Sequence, residues 1–329
     1  MPAVLFVIAA IAACGNCYAV ERFEFEEPHM GTKVRLVMYA DDGDAALKAS
    51  RAAFFRIKEI EQILSDYKPD SEIIKLCIAN DATPGTAFGI SNDLAKVLAV
   101  AMDVSKKSDG AFDVTVGPLS KLWRETRKTK KLPDAATLAA AKAKVGWEKL
   151  TLDAAKKTLT LREPGMRLDF GGIGKGFAAD EAMIVLKEAG VSSALVAMSG
   201  DIAVSDAPPG QQGWTVEITP LNPKDSSRKM SLKNVAVSTS GDLFQNVEIN
   251  GIRYSHVLDL KTGLGLTGFR SATVIAKDGT HADALSKVAS VMPAEEALKV
   301  IQSYKGSAFV TVKDQKPLKS PSFNDHLIK

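Results

Sequence analysis

Cysteine is scarce in this chain, and the positions of the few cysteines exclude two kinds of stabilising site. The 329 residues include three cysteines, of which Cys14 and Cys17 lie in the apolar N-terminal segment. If that segment is removed after Ala19, only Cys77 remains, and no internal disulfide can form. A zinc site built from thiolates is excluded for the same reason.

An excess of charge, a long apolar run and an internal repeat are also missing. The formal net charge is +3 and no basic stripe is present, which argues against nucleic acid as a partner. The apolar run 4–13 is too short to span a bilayer, and no segment recurs at a fixed period. Apolar residues make up 46% and charged residues 25% of the chain, which are ordinary values for a globular protein with a large core.

Residues 1–19 predict export. They contain no charged residue, and their apolar run has the length of a signal-peptide core. The small residue Ala19 could end the signal, whereas the sequence Ile-Ala-Ala-Cys ending at Cys14 resembles a bacterial lipobox. A buried N-terminal strand or helix is the remaining interpretation. We therefore expect a periplasmic protein that is either cleaved near Ala19 or anchored in the inner or outer membrane through lipidated Cys14.

Strand and helix patterns follow one another without strict alternation. Residues 32–39 read as a strand, and residues 44–64 carry apolar side chains at helical spacing. Ser91 is predicted to cap a helix that runs to about Lys107, and a basic loop is predicted after Trp123. Because the elements do not repeat as βαβ units, the predicted fold class is α+β, with two lobes and a cleft between them.

A glycine-rich turn at residues 169–176 is the first candidate site. It leads from a predicted strand into a predicted helix, whose free N–H groups and positive dipole end suit a phosphate or pyrophosphate. Lys175 adds a point charge. A Walker A loop is excluded, because Asp169 stands where its first glycine belongs and Gly176 follows the lysine. From these residues alone, a tight turn with a solvent-exposed lysine is an equally good interpretation.

Hydroxyl and carboxylate groups around His256 form the second candidate site. The segments 238–242 and 254–259 could bind phosphate or ribose and move protons. A satisfied structural histidine is the alternative for His256. Neither a nucleophile elbow nor an HExxH motif accompanies it, so hydrolase triads and zinc proteases are unsupported.

The segment 280–286 is the third candidate site. Asp283 could hold a hard cation through oxygen. Alternatively, Thr280 and Asp283 form a variant capping box at the start of a helix over residues 281–291. Spacing alone favours the cap.

Eight segments in register resemble the ApbE flavin transferases and cover about residues 22–325. These segments are residues 30–32, 65–72, 110–119, 169–176, 200–201, 238–242, 254–259 and 282–285. The resemblance implies an ApbE-like, T-fold-like flavin transferase domain with mixed sheets and a cleft between two lobes. It follows the predicted signal at residues 1–19.

The resemblance implies that FAD is the substrate and that its FMN half moves to a Thr or Ser hydroxyl of a partner protein, with release of AMP. The partner is typically a subunit of a membrane redox complex. The FAD contacts that it implies are Met30, Tyr67, Ala111, Phe112, Asp113, Asp169, Lys175 and Leu258. In-line attack on phosphorus needs positioning and charge neutralisation more than covalent chemistry by the enzyme. Two alternatives are an FAD-binding protein without transfer and an FAD pyrophosphatase that uses water as acceptor.

The resemblance further implies a magnesium ion on the pyrophosphate, held by the Gly172 carbonyl and Asp283. Asp283 would also help to deprotonate the acceptor hydroxyl, and His256 would sit near the phosphates. Family members usually carry Thr four residues after this Asp, where this chain has Lys287. Helical spacing places Asp283 and Lys287 on one face. We expect the long Lys287 side chain to turn toward solvent, so that magnesium still binds. In the alternative, the lysine takes over part of the metal's role.

Overall fold

The computed structural model describes residues 6–7, 20–218, 227–241, 245–313 and 315–328. Cys14, Ala19 and Asp242, on which predictions were made above, lie outside the described residues. The helices are α1 Gly43–Leu64, α2 Glu72–Ala82, α3 Asn92–Lys107, α4 Gly117–Thr129, α5 Ala135–Lys142, α6 Gly174–Glu188, α7 Gly279–Val291 and α8 Ala294–Ser303. The strands are β1 Phe6–Val7, β2 Glu21–His29, β3 Thr32–Ala40, β4 Ala87–Gly89, β5 Leu150–Asp153, β6 Thr158–Leu161, β7 Ser193–Met198, β8 Asp201–Val204, β9 Trp214–Ile218, β10 Arg228–Leu232, β11 Val235–Gly241, β12 Asn246–Ile249, β13 Ile252–Asp259, β14 Leu264–Thr267, β15 Arg270–Ala276, β16 Ser307–Val312 and β17 Leu318–Lys319.

A nine-stranded sheet is the centre of the fold. Its strand order is β1-β2-β3-β7-β8-β11-β15-β16-β17, and every neighbouring pair is antiparallel. Helices α1, α6 and α7 contribute to the larger apolar core together with strands of this sheet. The hairpin of β9 and β10 buries Trp214 and Met230 in a second core. The predicted α+β class is confirmed.

A smaller region carries the segment around His256. Strands β12, β13 and β14 form a separate antiparallel sheet, and Trp123 of α4 packs against it. The indole of Trp123 donates to the Ser255 carbonyl at 3.1 Å and meets the Tyr254 ring edge-on, with centroids 5.6 Å apart. Strand β13 also contacts α7, which links this region to the main body.

Local signals predicted several elements, and the predicted basic, Pro-containing loop after Trp123 is present at residues 130–134 but begins six residues later than expected. Ser91 caps α3 by accepting the Leu94 N–H at 3.1 Å, as expected. Helix α4 instead continues to Thr129 and ends at Lys130, whose φ of 55° is left-handed. Its basic residues had suggested a loop, yet buried Trp123 anchors its apolar side. In the described part of the chain, no helix combines the length and apolar character needed to cross a membrane.

Candidate active site

The glycine-rich turn places Lys175 in the first turn of helix α6, as predicted. Asp169 shapes the turn, because its Oδ1 accepts the N–H of Gly171 at 2.7 Å. The Gly174 N–H donates to the Phe170 carbonyl at 2.7 Å, and α6 begins at that residue. Residue 173, at the cap position, supplies no side-chain hydrogen bond to the helix start. The α6 N-terminus therefore carries the positive dipole end that favours an anion.

Two glycines bring the starts of α6 and α7 together. A Cβ added to Gly176 would lie 2.0 Å from the Gly279 carbonyl oxygen, and one added to Gly279 would lie 2.6 Å from the Gly176 carbonyl oxygen. Neither position can accept a larger residue without a backbone shift. The Gly176 N–H donates to Asp283 Oδ2 at 3.1 Å. This close approach is what places the third candidate segment beside the first.

Lys175 is not the exposed lysine of the alternative interpretation. Its Nζ lies 2.5 Å from Asp201 Oδ2 and 3.8 Å from Asp283 Oδ2. Burial by itself lowers the pKa of Lys175, but the two carboxylates outweigh burial and raise it above its usual range. The lysine is thus a fixed cation at the helix start.

Asp283 does not cap α7, so the predicted capping box is wrong. The cap is Asp278, whose Oδ1 accepts the His281 N–H at 2.8 Å, while the Thr280 hydroxyl donates to Asp180 at 2.5 Å. The side chain of Asp283 is fully buried one turn further into the helix. Burial would raise the pKa of Asp283, yet the ammonium groups of Lys175 and Lys287 hold it below its usual range. Asp283 is therefore a buried carboxylate in contact with two cations.

The expectation that Lys287 turns toward solvent is wrong. Its side chain is 19% exposed, and its Nζ lies 3.0 Å from Asp283 Oδ1 and 3.1 Å from Ser286 Oγ. The predicted pairing of positions 283 and 287 on one helix face is confirmed. Pairing with a buried carboxylate and a buried hydroxyl holds the ammonium inside the site.

These contacts close into a ring of six side chains. Ser238 Oγ donates to Asp201 Oδ1 at 2.6 Å and lies 3.0 Å from Ser286 Oγ, which lies 3.1 Å from Lys287 Nζ. Asp201 and Ser238 come from strands β8 and β11, and the other members come from α6 and α7. The members of this ionic ring are Lys175, Asp201, Ser238, Ser286, Lys287 and Asp283. With two ammonium groups and two carboxylates, its net charge is zero.

The side chains present do not fit a magnesium ion between Gly172 and Asp283. A Cβ on Gly172 would lie 3.1 Å from Lys287 Cγ and 3.8 Å from Lys287 Cε, so the lysine stem passes directly beside this residue. The two oxygens of Asp283 face Lys287 and the Gly176 N–H, whereas Mg²⁺ requires octahedral oxygen ligands. Elsewhere in the described chain, no group of three or more His, Cys, Asp or Glu could hold a metal. An ammonium about 4 Å from a divalent ion would repel it by roughly 8 kcal/mol at an effective dielectric near 20.

Met30 and Phe112, which the resemblance implies as FAD contacts, lie against the glycine-rich turn. Met30 occupies the hairpin between β2 and β3 with φ of 49°, and its Cε would lie 3.5 Å from a Cβ on Gly174. Phe112 is buried, and its Cε2 would lie 3.3 Å from a Cβ on Gly172. Both side chains therefore border the start of α6.

Ala111 and Asp113 flank Phe112 on the segment that leads into α4. The Ala111 N–H donates to the Ser108 carbonyl at 3.0 Å. Asp113 Oδ1 accepts both the N–H and the hydroxyl of Thr115 at 2.7 Å, and burial raises the pKa of Asp113. In this structure Asp113 orders the segment.

Arg124 is a site residue that sequence reasoning missed. Its guanidinium lies 2.5 Å from Asp66, 3.2 Å from Asp169 and 4.3 Å from the centroid of the Tyr67 ring. Tyr67 is 75% exposed, and the Arg124 guanidinium lies over one face of its ring. Burial and the nearby Asp169 raise the pKa of Asp66. Arg124 thus joins the predicted residues Tyr67 and Asp169, and no local motif could have indicated it.

His256 and Leu258 lie on β13, a strand that contacts α7. Nδ1 of His256 is 3.1 Å from the Gln245 carbonyl oxygen, and the His256 N–H donates to the same carbonyl at 3.0 Å. Leu258 packs on the core around Trp123 and pairs with Gly265 of β14. The described hydrogen bonds of His256 therefore connect it to the loop before β12, and its predicted place near phosphates stays a prediction.

Comparisons with known proteins show which family this chain belongs to. A family profile described as the ApbE family matches residues 30–311. The FAD:protein FMN transferase of Haemophilus influenzae is 31% identical over 299 residues, and the match covers 86% of this chain and 84% of the relative. The FAD:protein FMN transferase of Escherichia coli K12 is 28% identical, and the match covers 94% of this chain and 91% of the relative. The apo flavinyl transferase ApbE of Pseudomonas stutzeri superposes with a TM-score of 0.82 at 28% identity, covering 94% of this chain and 97% of its own. This chain belongs to the ApbE family.

Proposed function

We propose that this chain is an FAD:protein FMN transferase, which moves FMN from FAD to a Thr or Ser hydroxyl of a partner protein and releases AMP. The observation that carries the proposal is a lysine at a helix start, 24% exposed and held between two carboxylates, in a member of the ApbE family. The relatives named above are FAD:protein FMN transferases. A fixed cation beside free backbone N–H groups is suited to the pyrophosphate of FAD.

The proposed reaction is a substitution at the phosphorus of the FMN half. The acceptor hydroxyl oxygen forms a bond to this phosphorus, and the anhydride bond to the AMP phosphate breaks. The bonding electrons leave with AMP, and the hydroxyl proton passes to a base. Lys175 and the α6 N–H groups would stabilise negative charge on the phosphates, which is the main catalytic requirement of such a step.

Asp283 is the base that the resemblance implies, but its environment weakens it. Its pKa is held low by Lys175 and Lys287, and its Oδ2 accepts the Gly176 N–H. A group with a low pKa is a poor proton acceptor at neutral pH. We therefore propose that Asp283 acts mainly by positioning the two lysines, with proton transfer as a secondary role.

The flavin half of FAD would lie toward Met30, Tyr67 and Phe112. Tyr67 is the largely exposed aromatic residue among them, and a planar ligand could stack on its free face. Arg124 would hold both Tyr67 and Asp169 in place through its contacts with them. This placement of the ligand remains a proposal drawn from the family.

The test is incubation of purified protein with FAD and a purified redox-complex subunit that carries a flavinylation threonine, followed by mass spectrometry. A covalent FMN adduct on the subunit, absent when its threonine is replaced by alanine, supports transfer. Free FMN and AMP without an adduct would indicate a pyrophosphatase instead. Bound, unchanged FAD would indicate a binding protein.

Lys175→Met tests the residue that carries the proposal. We expect transfer to fall by on the order of 100-fold or more, because a fixed charge at the phosphates is lost. The matched control is Lys187→Met, which removes an exposed lysine from the last turn of the same helix. Equal activity in both variants would contradict the role assigned to Lys175.

Export to the periplasm is part of the proposal, with a subunit of a membrane redox complex as the acceptor. The support is the uncharged, apolar segment 1–19. The intact mass of the exported protein should correspond to a chain that begins at Val20, or to a chain that begins at Cys14 with lipid attached. Full-length protein recovered from the cytoplasm alone would contradict export.

Magnesium is the one expected component that the site geometry does not favour. The resemblance implies the ion, whereas the Lys287 side chain lies beside Gly172 and its ammonium contacts Asp283, the two expected ligand residues. Flavin transfer is therefore proposed here without a metal-dependent step.

A further inference from the structure

We propose that the ammonium group of Lys287 stands in for a divalent cation, so that flavin transfer by this chain does not depend on a divalent metal. The inference rests on the proposed transferase function. It also concerns metal binding itself, which can be measured without any turnover.

The position of Lys287 is set by contacts along its whole side chain. The stem passes beside Gly172, and the ammonium donates to Asp283 at 3.0 Å and to Ser286 at 3.1 Å. Ser286 in turn donates to the Asp283 carbonyl at 2.8 Å and lies 3.0 Å from Ser238. The lysine therefore occupies a site whose partners are themselves fixed.

The charge of the ionic ring explains why a cation is needed at this position. With Lys287, its two carboxylates are balanced by two ammonium groups. With Thr at position 287, the same ring would hold one ammonium and carry a net charge of −1. A cation would then be required beside buried Asp283, because an unbalanced buried charge is strongly unfavourable. In this chain the cation is covalently part of α7.

Lys287 is also able to contact a phosphate. An ammonium has three N–H groups, and the described contacts of Lys287 use two of them, on Asp283 and Ser286. In the proposed complex, the third would donate to an oxygen of the pyrophosphate. Across the cluster, Lys175 supplies a second charge, so the leaving AMP phosphate would meet two ammonium groups in a partly dry site. Charge build-up as the anhydride bond breaks is then neutralised by the protein itself.

The first test measures Mn²⁺ binding by electron paramagnetic resonance, with FAD present, for the wild-type chain and Lys287→Thr. We expect Lys287→Thr to bind one Mn²⁺ per chain at least on the order of 100-fold more tightly than wild type, because the adjacent like charge is removed. The matched control is Lys299→Thr, an exposed lysine of α8, which should bind as wild type does. Tight binding of one Mn²⁺ by the wild-type chain, abolished by Asp283→Asn, would overturn the inference.

The second test measures FMN transfer after thorough chelation and across a magnesium titration. Wild-type and Lys299→Thr proteins should transfer equally well with and without metal, whereas Lys287→Thr should be inactive until magnesium is added. A wild-type enzyme that loses transfer on chelation and regains it with magnesium would overturn the inference and leave the proposed function intact. If no protein transfers FMN under any condition, the proposed function fails, and the Mn²⁺ experiment still decides the role of Lys287.

Discussion

The charge balance of the ionic ring can be tested with a double-mutant cycle on Asp283 and Lys287. The single changes are Asp283→Asn and Lys287→Met, which preserve side-chain size while each removes one charge. The side chain of Asp283 is fully buried and that of Lys287 is 19% exposed, with a 3.0 Å contact between them. Either change alone leaves the ring with a net charge, and the double change restores neutrality through Lys175 and Asp201.

The structure sets the expected magnitudes. Asp283→Asn leaves two ammonium groups with a single carboxylate, and breaking a buried pair in this way costs about 3–5 kcal/mol. Lys287→Met should cost less, about 2 kcal/mol, because Lys175 remains 3.8 Å from Asp283. The double variant should be more stable than the sum of the two single changes by about 2–3 kcal/mol, the upper part of the range of about 0.5–3 kcal/mol for residues in one network.

The assay is the free energy of unfolding from urea titrations of the four proteins. A matched exposed pair lies in α3, where Asp103 and Lys107 have the same i,i+4 spacing and a 3.0 Å contact but side chains 47% and 44% exposed. Its cycle should give a coupling of about 0.5 kcal/mol or less. Equal coupling in the two cycles would refute the reasoning that burial makes the Asp283 pair special.

Two further predictions concern the residues that support the site. Gly176→Ala should lower the melting temperature sharply, because its Cβ would lie 2.0 Å from a backbone carbonyl oxygen. The control Gly89→Ala, with nothing within 4 Å of its Cβ, should change the melting temperature little. Similar changes in the two variants would contradict the close approach of α6 and α7. Burial raises the pKa of Asp180 from 3.8 to about 6, so the folded chain keeps a proton that the unfolded chain loses. Unfolding free energy should therefore fall by about 3 kcal/mol as the pH rises from about 4 to about 6. Asp180→Asn should remove this fall from the urea-derived pH profile, and an unchanged profile would contradict the assignment.

Local patterns predicted the elements whose signals lie within one turn or one strand. The apolar spacing of residues 44–64 gave α1 to within one residue, and Ser91 caps α3 as its sequence context indicated. Helix α4 was not predicted, because its largest buried residue, Trp123, packs on β12–β14, which lie more than 100 residues later in the chain. Hydrophobic periodicity within a short window gives no information on a packing partner so distant in sequence.

The start of helix α6 at the glycine-rich turn was predicted, and the side chains that contact Lys175 were not. The position of Lys175 at the start of a helix follows from the glycines around it, whereas the predicted strand before the turn is only an isolated bridge at Arg167. The carboxylates that hold it, Asp201 and Asp283, come from β8 and α7. Arg124 is a stronger case, because its contacts to Asp66 and Asp169 span three separate segments. Such ion pairs become visible only when the elements are assembled.

Asp283 shows how a correct local rule can give a wrong assignment. Thr280 and Asp283 have capping-box spacing, but Asp278 precedes them and accepts the same kind of N–H bond at 2.8 Å. With the cap already supplied, Asp283 lies one turn into α7 and accepts the Gly176 N–H, 107 residues away in sequence. The glycine pair makes this contact possible, since any side chain at Gly176 or Gly279 would separate the helix starts.

Lys287 marks the point where spacing and environment have to be considered together. Helical geometry correctly placed it beside Asp283, yet a lysine on a helix surface normally keeps its ammonium in water. Here the carboxylate it meets is fully buried and cannot follow it outward. Because Gly172 has no side chain, the stem of Lys287 can pass close beside it. Ser286 adds a second acceptor for the ammonium. Taking the ammonium out of water costs free energy, and the ion pair with Asp283 offsets that cost. Without Lys287, Asp283 would contact Lys175 alone. The inward orientation of Lys287 therefore follows from the burial of Asp283.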